Sequence, residues 1–515
     1  MINLPDSFIW GAATAAYQIE GGASEGGRTP SIWDTFSHTP GNVERGETGD
    51  VAADHYHRYE ADLDLLADLG VDAYRLSISW SRVMPGGRGP LNPEGVDFYR
   101  RLLTGLRERG ILPVVTLYHW DLPQELQDTG GWPERATAEA FADYARVMAR
   151  EFGDLVHTWT TLNEPWCTAF VGYASGVHAP GITDAGAALA AAHHLNLAHG
   201  LATRTIREEL GEDARISITL NLHVIDPADE DNSADLAAAE KASLVGNKIF
   251  LGPLLDGTYP TALLANTRHL TDWSFVRAGD LNITRTRLDV LGVNYYSTNT
   301  VRHAEGGGGK GVGEHSPWPG CEDVEFLAPT GPLTTMGWNI EPRGLYDLLT
   351  ALDTAYEGLP LAVTENGAAF DDVVTADGRI HDERRVAYLK DHLAEISAAV
   401  ADGADVRGYF VWSLLDNFEW SYGYAKRFGI VHVDYETQQR RLKDSALFYR
   451  GVIAEHHTRR AERSPELAAD GGLDDVWVQQ AWVGAADAAR GGRGISDEET
   501  KDARRRRRRL FFRRG

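Results

Sequence analysis

Short apolar runs of seven to nine residues recur along the chain, with amphipathic stretches between them. The runs are FIWGAAT (8–14), AYRLSIS (73–79), ILPVVTLYH (111–119), HTWTTLN (157–163), RISITLNLH (215–223), LDVLGVNYY (288–296), PLAVTEN (360–366) and VRGYFVWSL (406–414). Their near-continuous apolar, β-branched and aromatic character predicts strands buried on both faces. Between them, apolar positions fall at intervals of three and four. In 382–400, Val386, Leu389, Leu393, Ile396 and Val400 make one helical face. In 56–70, Tyr59, Leu63, Leu66 and Leu69 do the same, and Gly70 stands where a left-handed cap would end the helix. The Ala-rich stretch 187–210 has high helical propensity, and further helices fit 95–109, 135–152, 234–250, 343–357 and 443–456.

Eight strands alternating with about eight helices predict an α/β fold, a single (β/α)8 TIM barrel with long βα loops. Alternation alone would also fit an open, doubly wound sheet. The polar residues at the strand ends separate the two: His119, Asn163, Glu164, Asn294 and Glu365, with Trp412 beside them, all stand at the carboxyl ends of predicted strands. A barrel gathers those ends at one mouth, where active sites sit; an open sheet would spread them along an edge.

Two of these residues are carboxylic acids, Glu164 in TLNEP and Glu365 in VTENG. A lone buried carboxylate is costly, so two at one mouth suggest paired acid/base and nucleophilic work, with structural capping or salt bridging as the plainer alternative. Pro165 is expected to keep Glu164 extended and in strand register, and Gly367 to allow a sharp turn after Glu365.

In order along the chain, FIWGAATAAYQIEGG, YRLSISWSRVMP, LYHWDLPQ, TLNEPW, GVNYYS, VTENG and DNFEWSYGYAKRFGIVHVD resemble the motifs of glycoside hydrolase family 1, the β-glucosidase family. The resemblance spans roughly 3–456 and implies a (β/α)8 barrel that cleaves β-glycosides with retention of configuration. By position it implies that Glu164 is the acid/base and Glu365 the nucleophile, with Arg75 and Tyr296 as partners that favour the ionised form of Glu365. It further implies a substrate-binding set of Gln18, His119, Trp120, Asn163, Asn294, Trp412, Glu419, Trp420 and Phe428, in which Asn163 meets the sugar 2-hydroxyl and Glu419 clamps the 4- and 6-hydroxyls. Relatives that cleave 6-phosphoglycosides carry a small residue where this chain has Glu419, whose charge would repel a phosphate. The thioglucosidases of the family carry Gln where this chain has Glu164. The implied substrates are small β-glucosides, with β-fucosides and β-galactosides alongside, and the hydrolysis needs no cofactor or metal.

The chain has 515 residues and a formal net charge of -25. Residues 458–515 carry 14 Lys/Arg against 10 Asp/Glu, +4, which leaves -29 for residues 1–457. A surface so acidic repels nucleic acid and anionic membrane. The expected organisation is a catalytic domain over 1–457 and a disordered tail over 458–515 that closes in RRRRRRLFFRRG. Neither a basic-then-apolar leader nor a membrane-length apolar run is evident, so a cytoplasmic location is expected; self-association is left open. Three features are read as bland. His55 and His57 are expected on a helix surface, Cys167 in packing, and the glycine-rich EGGGGKGVG (305–313) in a mobile surface loop, because it lacks the spacing of a phosphate loop.

Overall fold

The computed structural model describes residues 2–305 and 315–463. All eight predicted strands form: β1 (Ile9–Ala13), β2 (Ala73–Ser77), β3 (Leu112–Tyr118), β4 (Thr158–Asn163), β5 (Ile216–Asn221), β6 (Val290–Asn294), β7 (Leu361–Asn366) and β8 (Val406–Trp412). They pair in parallel, each with its sequence neighbour, and β1 closes on β8 to complete the barrel. The eight predicted helices form as well: α1 (His55–Leu69), α2 (Pro93–Glu108), α3 (Arg135–Phe152), α4 (Ala185–Leu210), α5 (Ser233–Ser243), α6 (Pro342–Ala355), α7 (Glu383–Ala401) and α8 (Asp444–Arg463). Gly70 caps α1 at φ 74°, as its position suggested.

The barrel interior is packed by Ile9, Ala73, Leu112, Val290, Ala362 and Phe410, a core distinct from the larger layer between strands and helices. Gly292 on β6 leaves the space in which Thr219 and Thr364 meet, their hydroxyls 3.3 Å apart. Between β6 and α6, Thr298–His303 and Val324–Phe326 join Val224–Pro227 in a three-stranded outer sheet over the mouth, which the sequence reading did not foresee.

Several expectations are corrected. His55 is not on the surface: it is buried, with Nδ1 2.8 Å from Asp62 Oδ2, an oxygen that also accepts from Arg440; His57 is exposed as expected. On α7 the buried face turns toward Arg385, Tyr388, Leu389, His392, Leu393 and Ile396, leaving Val386 and Val400 half-buried. Residues 458–463 continue α8 rather than begin the tail, because Arg459 donates to the Ile2 carbonyl (3.1 Å) and Arg463 reaches Asp6 (3.5 Å). Residues 464–515 and all of EGGGGKGVG but its first residue lie outside the described residues. Among the described residues no helix is long and apolar enough to cross a membrane, and no cluster of three metal-ligating side chains occurs.

Arg385 turns inward because it is paired. Its guanidinium meets Asp372 (3.0 Å) and Asp382 (2.5 Å), and donates to the carbonyls of Ala368 (3.1 Å) and Arg427 (2.8 Å). Lys443 bridges Asp372 and Asp416, and Asp416 holds Arg427. This buried network ties the segment after β7 to the one after β8. Arg385→Met leaves Asp382 without a cation and Asp372 with Lys443 alone, and is expected to lower stability by about 3 kcal/mol, read from the urea unfolding midpoint.

Candidate active site

The strand ends surround a cavity of about 380 Å³ lined by Glu164, Glu365, Glu419, His119, Trp120, Asn294, Tyr296, Trp412, Trp420 and Phe428 among others. Gln18, Arg75 and Asn163 lie behind this wall, each buried. Thus every predicted site residue is at the barrel mouth, ten in the cavity wall and three immediately beneath it.

Arg75, on β2, is the hub. Its Nη1 donates to Glu365 Oε1 (2.6 Å) and its Nη2 to Asn163 Oδ1 (2.6 Å). Tyr296 donates its phenol proton to the other Glu365 oxygen (2.7 Å). On the facing side, Asn294 Nδ2 donates to Glu164 Oε1 (2.6 Å) and lies 3.2 Å from Asn163 Oδ1. Thr364 Oγ1 donates to Asn294 Oδ1 (2.8 Å), which fixes the direction of that amide. A continuous chain of hydrogen bonds therefore joins the two carboxyls through Arg75, Asn163 and Asn294.

Both carboxyl-bearing strands are irregular where they reach the mouth. The register shifts between Thr160 and Asn163 in β4, and between Val363 and Glu365 in β7. Contrary to the extended conformation expected from Pro165, Glu164 has φ 45°. In a regular strand, Asn163 and Glu164 would face opposite sides. The left-handed backbone at Glu164 cancels that alternation, so both side chains reach the mouth. A helical turn starts at Pro165, and the Glu164 amide still bonds Thr219 O (2.9 Å), which explains why proline's extended preference loses. Gly367 has a different role from the one expected: its φ is not positive, but a Cβ there would run into the carbonyl oxygen of Trp412. The strands β7 and β8 approach too closely for any side chain.

The electrostatics favour the neutral form of Glu164. Burial, and then the negative charge of Glu365, push the Glu164 carboxyl up to about 8; the bonds from Asn294 and Cys167 and the charge of Arg75 oppose this only in part. Glu419 is pushed up to about 8 by burial and by both other acids, with Gln18 opposing. Burial first, and then Glu365, hold the Tyr296 phenol well above its usual range, so it remains a donor. Burial and Arg75 hold His119 well below the usual imidazole range, so the ring is neutral. Its Nε2 faces Asn163 Nδ2 (3.0 Å), and its Nδ1 has no protein partner. Gln18 donates to Asn417 Oδ1 (3.0 Å) and Phe418 O (2.9 Å), holding the Glu419 segment to the end of β1, and its Oε1 is also without a partner.

Aromatic rings close the walls. Trp120 and Trp420 lie 4.6 Å apart between centroids, and His119 stacks on Trp412 at 5.8 Å. Trp120 and Trp420 have φ values of 77° and 49°, strained for non-glycine residues. Trp166 and Trp318 also line the cavity with their rings tilted at 5.0 Å between centroids, and Phe326 packs on Trp318 at 4.6 Å. Trp338 packs against Tyr296 and Phe428. Trp166, Trp318 and Trp338 are not among the expected site residues, and Cys167, expected in packing, has its Sγ 3.2 Å from Glu164 Oε2. Proximity to the TLNEP motif was the only available signal for Cys167 and Trp166.

A (β/α)8 barrel with two unlike carboxyls and unpaired polar atoms at its mouth has the architecture of a glycoside hydrolase. The sequence profile of Glycosyl hydrolase family 1 matches residues 1–458. A bifunctional β-D-glucosidase/β-D-fucosidase of Bifidobacterium breve is 52% identical over 463 residues, covering 88% of this chain and 99% of the relative. β-Glucosidase A of Acetivibrio thermocellus is 46% identical over 453 residues, covering 88% and 98%. Among solved structures, the psychrophilic β-glucosidase BglU from Micrococcus antarcticus superposes with a TM-score of 0.84 at 48% identity, covering 88% of this chain and 98% of that one. The Thermotoga maritima β-glucosidase in complex with deoxynojirimycin does so with a TM-score of 0.83 at 45% identity, covering 88% and 99%. The chain belongs to glycosyl hydrolase family 1, and it is a glycoside hydrolase.

The raised Glu164 has a consequence for folding. Below pH 4.5 its carboxyl is protonated whether folded or unfolded. As pH rises from there toward 8, the unfolded chain releases this proton first, so the group costs increasing stability. Glu164→Gln is expected to raise the melting temperature by a few degrees at pH 8.5 and far less at pH 5, measured by differential scanning calorimetry.

Proposed function

We propose that this chain is a retaining, exo-acting β-glucosidase. It removes terminal non-reducing β-D-glucosyl residues from small β-glycosides, including cello-oligosaccharides, and also accepts β-fucosides and β-galactosides. The observation that carries this reading is the contrast between the two carboxyls: Glu365 is gripped by a guanidinium and a phenol, whereas buried Glu164 keeps its proton to about pH 8. Glu365 attacks the anomeric carbon as Glu164 protonates the departing oxygen, giving a glycosyl-enzyme. Departure of the aglycone leaves Glu164 as a carboxylate, which takes a proton from water as that water displaces Glu365. Tyr296 and Arg75 hold Glu365 in position through both steps.

The glucosyl unit is read by Gln18, His119, Asn163 and Glu419, over Trp412 and Trp420. The unpartnered Gln18 Oε1 and His119 Nδ1 suit sugar hydroxyls, since buried polar atoms need partners. Glu419, pushed up to about 8, is mostly uncharged at neutral pH. It disfavours a 6-phosphate by filling the place of a smaller residue and offering no cation, and by repulsion only as pH approaches 8. Lys426, which donates to Thr335 O (2.6 Å), is committed elsewhere. The Bifidobacterium relative's fucosidase activity supports a tolerant glycone site. The catalytic unit is proposed to end with α8, with the remaining residues dispensable for the reaction. Cytoplasmic turnover of β-glucosides is the proposed setting.

Glu365→Gln is expected to lower kcat by about four orders of magnitude or more on aryl β-glucosides. Glu164→Ala should still be glycosylated by dinitrophenyl β-glucoside and then stall, with azide restoring turnover as β-glucosyl azide. Proton NMR of the first-formed sugar should show the β-anomer; an initial α-anomer overturns the double displacement. Removing residues 464–515 is expected to leave kcat/KM within about twofold, and a larger loss refutes a dispensable tail.

A further inference from the structure

The chain winds unusually just after Glu164. Pro165 and Trp166 begin a helical turn, and Cys167–Gly172 form a π-helix, a wide and costly turn that recurs at functional sites. The Cys167 amide donates to Glu164 O (3.0 Å), which folds the Cys167 side chain back over the carboxyl. Its S–H donates to Glu164 Oε2 (3.2 Å), while Asn221 Nδ2 donates to the sulfur (3.4 Å). The other oxygen, Oε1, is taken by Asn294 at 2.6 Å. The two oxygens therefore differ: the one receiving a short amide bond is the poorer place for a proton, and the one under the thiol is the better. Cys167 is free of any disulfide and forms part of the cavity wall.

We propose that Cys167 is a positioning residue for the acid/base: its S–H, aimed by Asn221, fixes Oε2 of Glu164 as the oxygen that delivers the proton to the leaving group. This rests on the reading of Glu164 given above. In the first step the O–H bond on Oε2 breaks and its proton passes to the glycosidic oxygen as the C–O bond cleaves. In the second, a water O–H bond breaks and Oε2 regains a proton. The thiol proton stays on sulfur throughout. Burial, and next the Glu164 charge, hold the thiol well above its usual range, so it acts as a donor and not as a nucleophile. The charged groups facing the pair are Glu365, Arg75 and Glu419.

The test uses the full chain with Cys167→Ala, Cys167→Val (bulk without a donor) and Cys167→Ser (a donor retained). A donor to a carboxylate favours its ionised form, so losing it moves the basic limb of kcat/KM on phenyl β-glucoside upward, by about half a pH unit. On dinitrophenyl β-glucoside, where the second step limits, kcat should fall about threefold or more in the Ala and Val variants, with KM changed less. Ser should restore both the limb and kcat to near the parent. An unmoved limb and kcat in either Ala or Val overturns the proposal, as does Ser proving no better than Val. Glu164→Gln separates the two readings. If it retains activity and the basic limb, the acid/base assignment itself fails. If it loses both while the Cys167 variants behave as the parent, only the role of Cys167 fails.

Discussion

The Arg75–Glu365 pair joins β2 to β7 across the barrel, Nη1 2.6 Å from Oε1, with both side chains shielded from solvent. A carboxylate at that depth is tolerable only beside a fixed cation, and the guanidinium in turn needs every acceptor it is given. Its second acceptor is Asn163, one residue from Glu164, and Asn163 also meets Asn294 and His119. One buried charge pair thus determines where the amides point, which amide reaches Glu164, and how His119 presents its free nitrogen. Burial first, and then the charge of Glu365, make the other two acids of the cavity reluctant to ionise, and Glu164 and Glu419 are both pushed to about 8.

The frame of the barrel was legible because its strands are apolar on both faces and its helices on one, signals that survive in a single sequence. All eight strands and eight helices fall where the pattern places them, and the polar strand ends converge as a closed barrel requires. What the pattern could not carry is local geometry that overrides a residue's usual preference. Proline argues for an extended Glu164, yet the helical turn that begins at Pro165 wins. Gly367 invites a reading in terms of backbone freedom, but the constraint comes from Trp412, forty-five residues away in sequence. His55 looks like a surface residue until Asp62 supplies the partner that makes its burial tolerable. The role of Cys167 depends on a π-turn that has no sequence signature. The misreadings share a cause: each residue is governed by a neighbour in space.

The walls of the site show a similar division of labour. The floor is polar and rigid, set by strand ends. The rim is aromatic and is carried by long connections: Trp318 and Trp338 come from the one that contributes two strands to the outer sheet, and Trp420 and Phe428 from the one anchored by Gln18 and the Arg385 network. A floor built on strands suits the proposed role of holding the reacting sugar, while a rim built on loops can vary without disturbing it.

Trp120, Glu164 and Trp420 all hold left-handed backbone conformations that their side chains disfavour, and all three face the cavity. Glycine or asparagine would relax each one. A population of this enzyme selected only for surviving heat would therefore be free to change at these cavity positions as well as at strained residues elsewhere, such as Arg45 and Trp273. Any such selection has to demand turnover at the same time, because these three positions belong to the site proposed for the reaction, where durability and activity would pull in opposite directions.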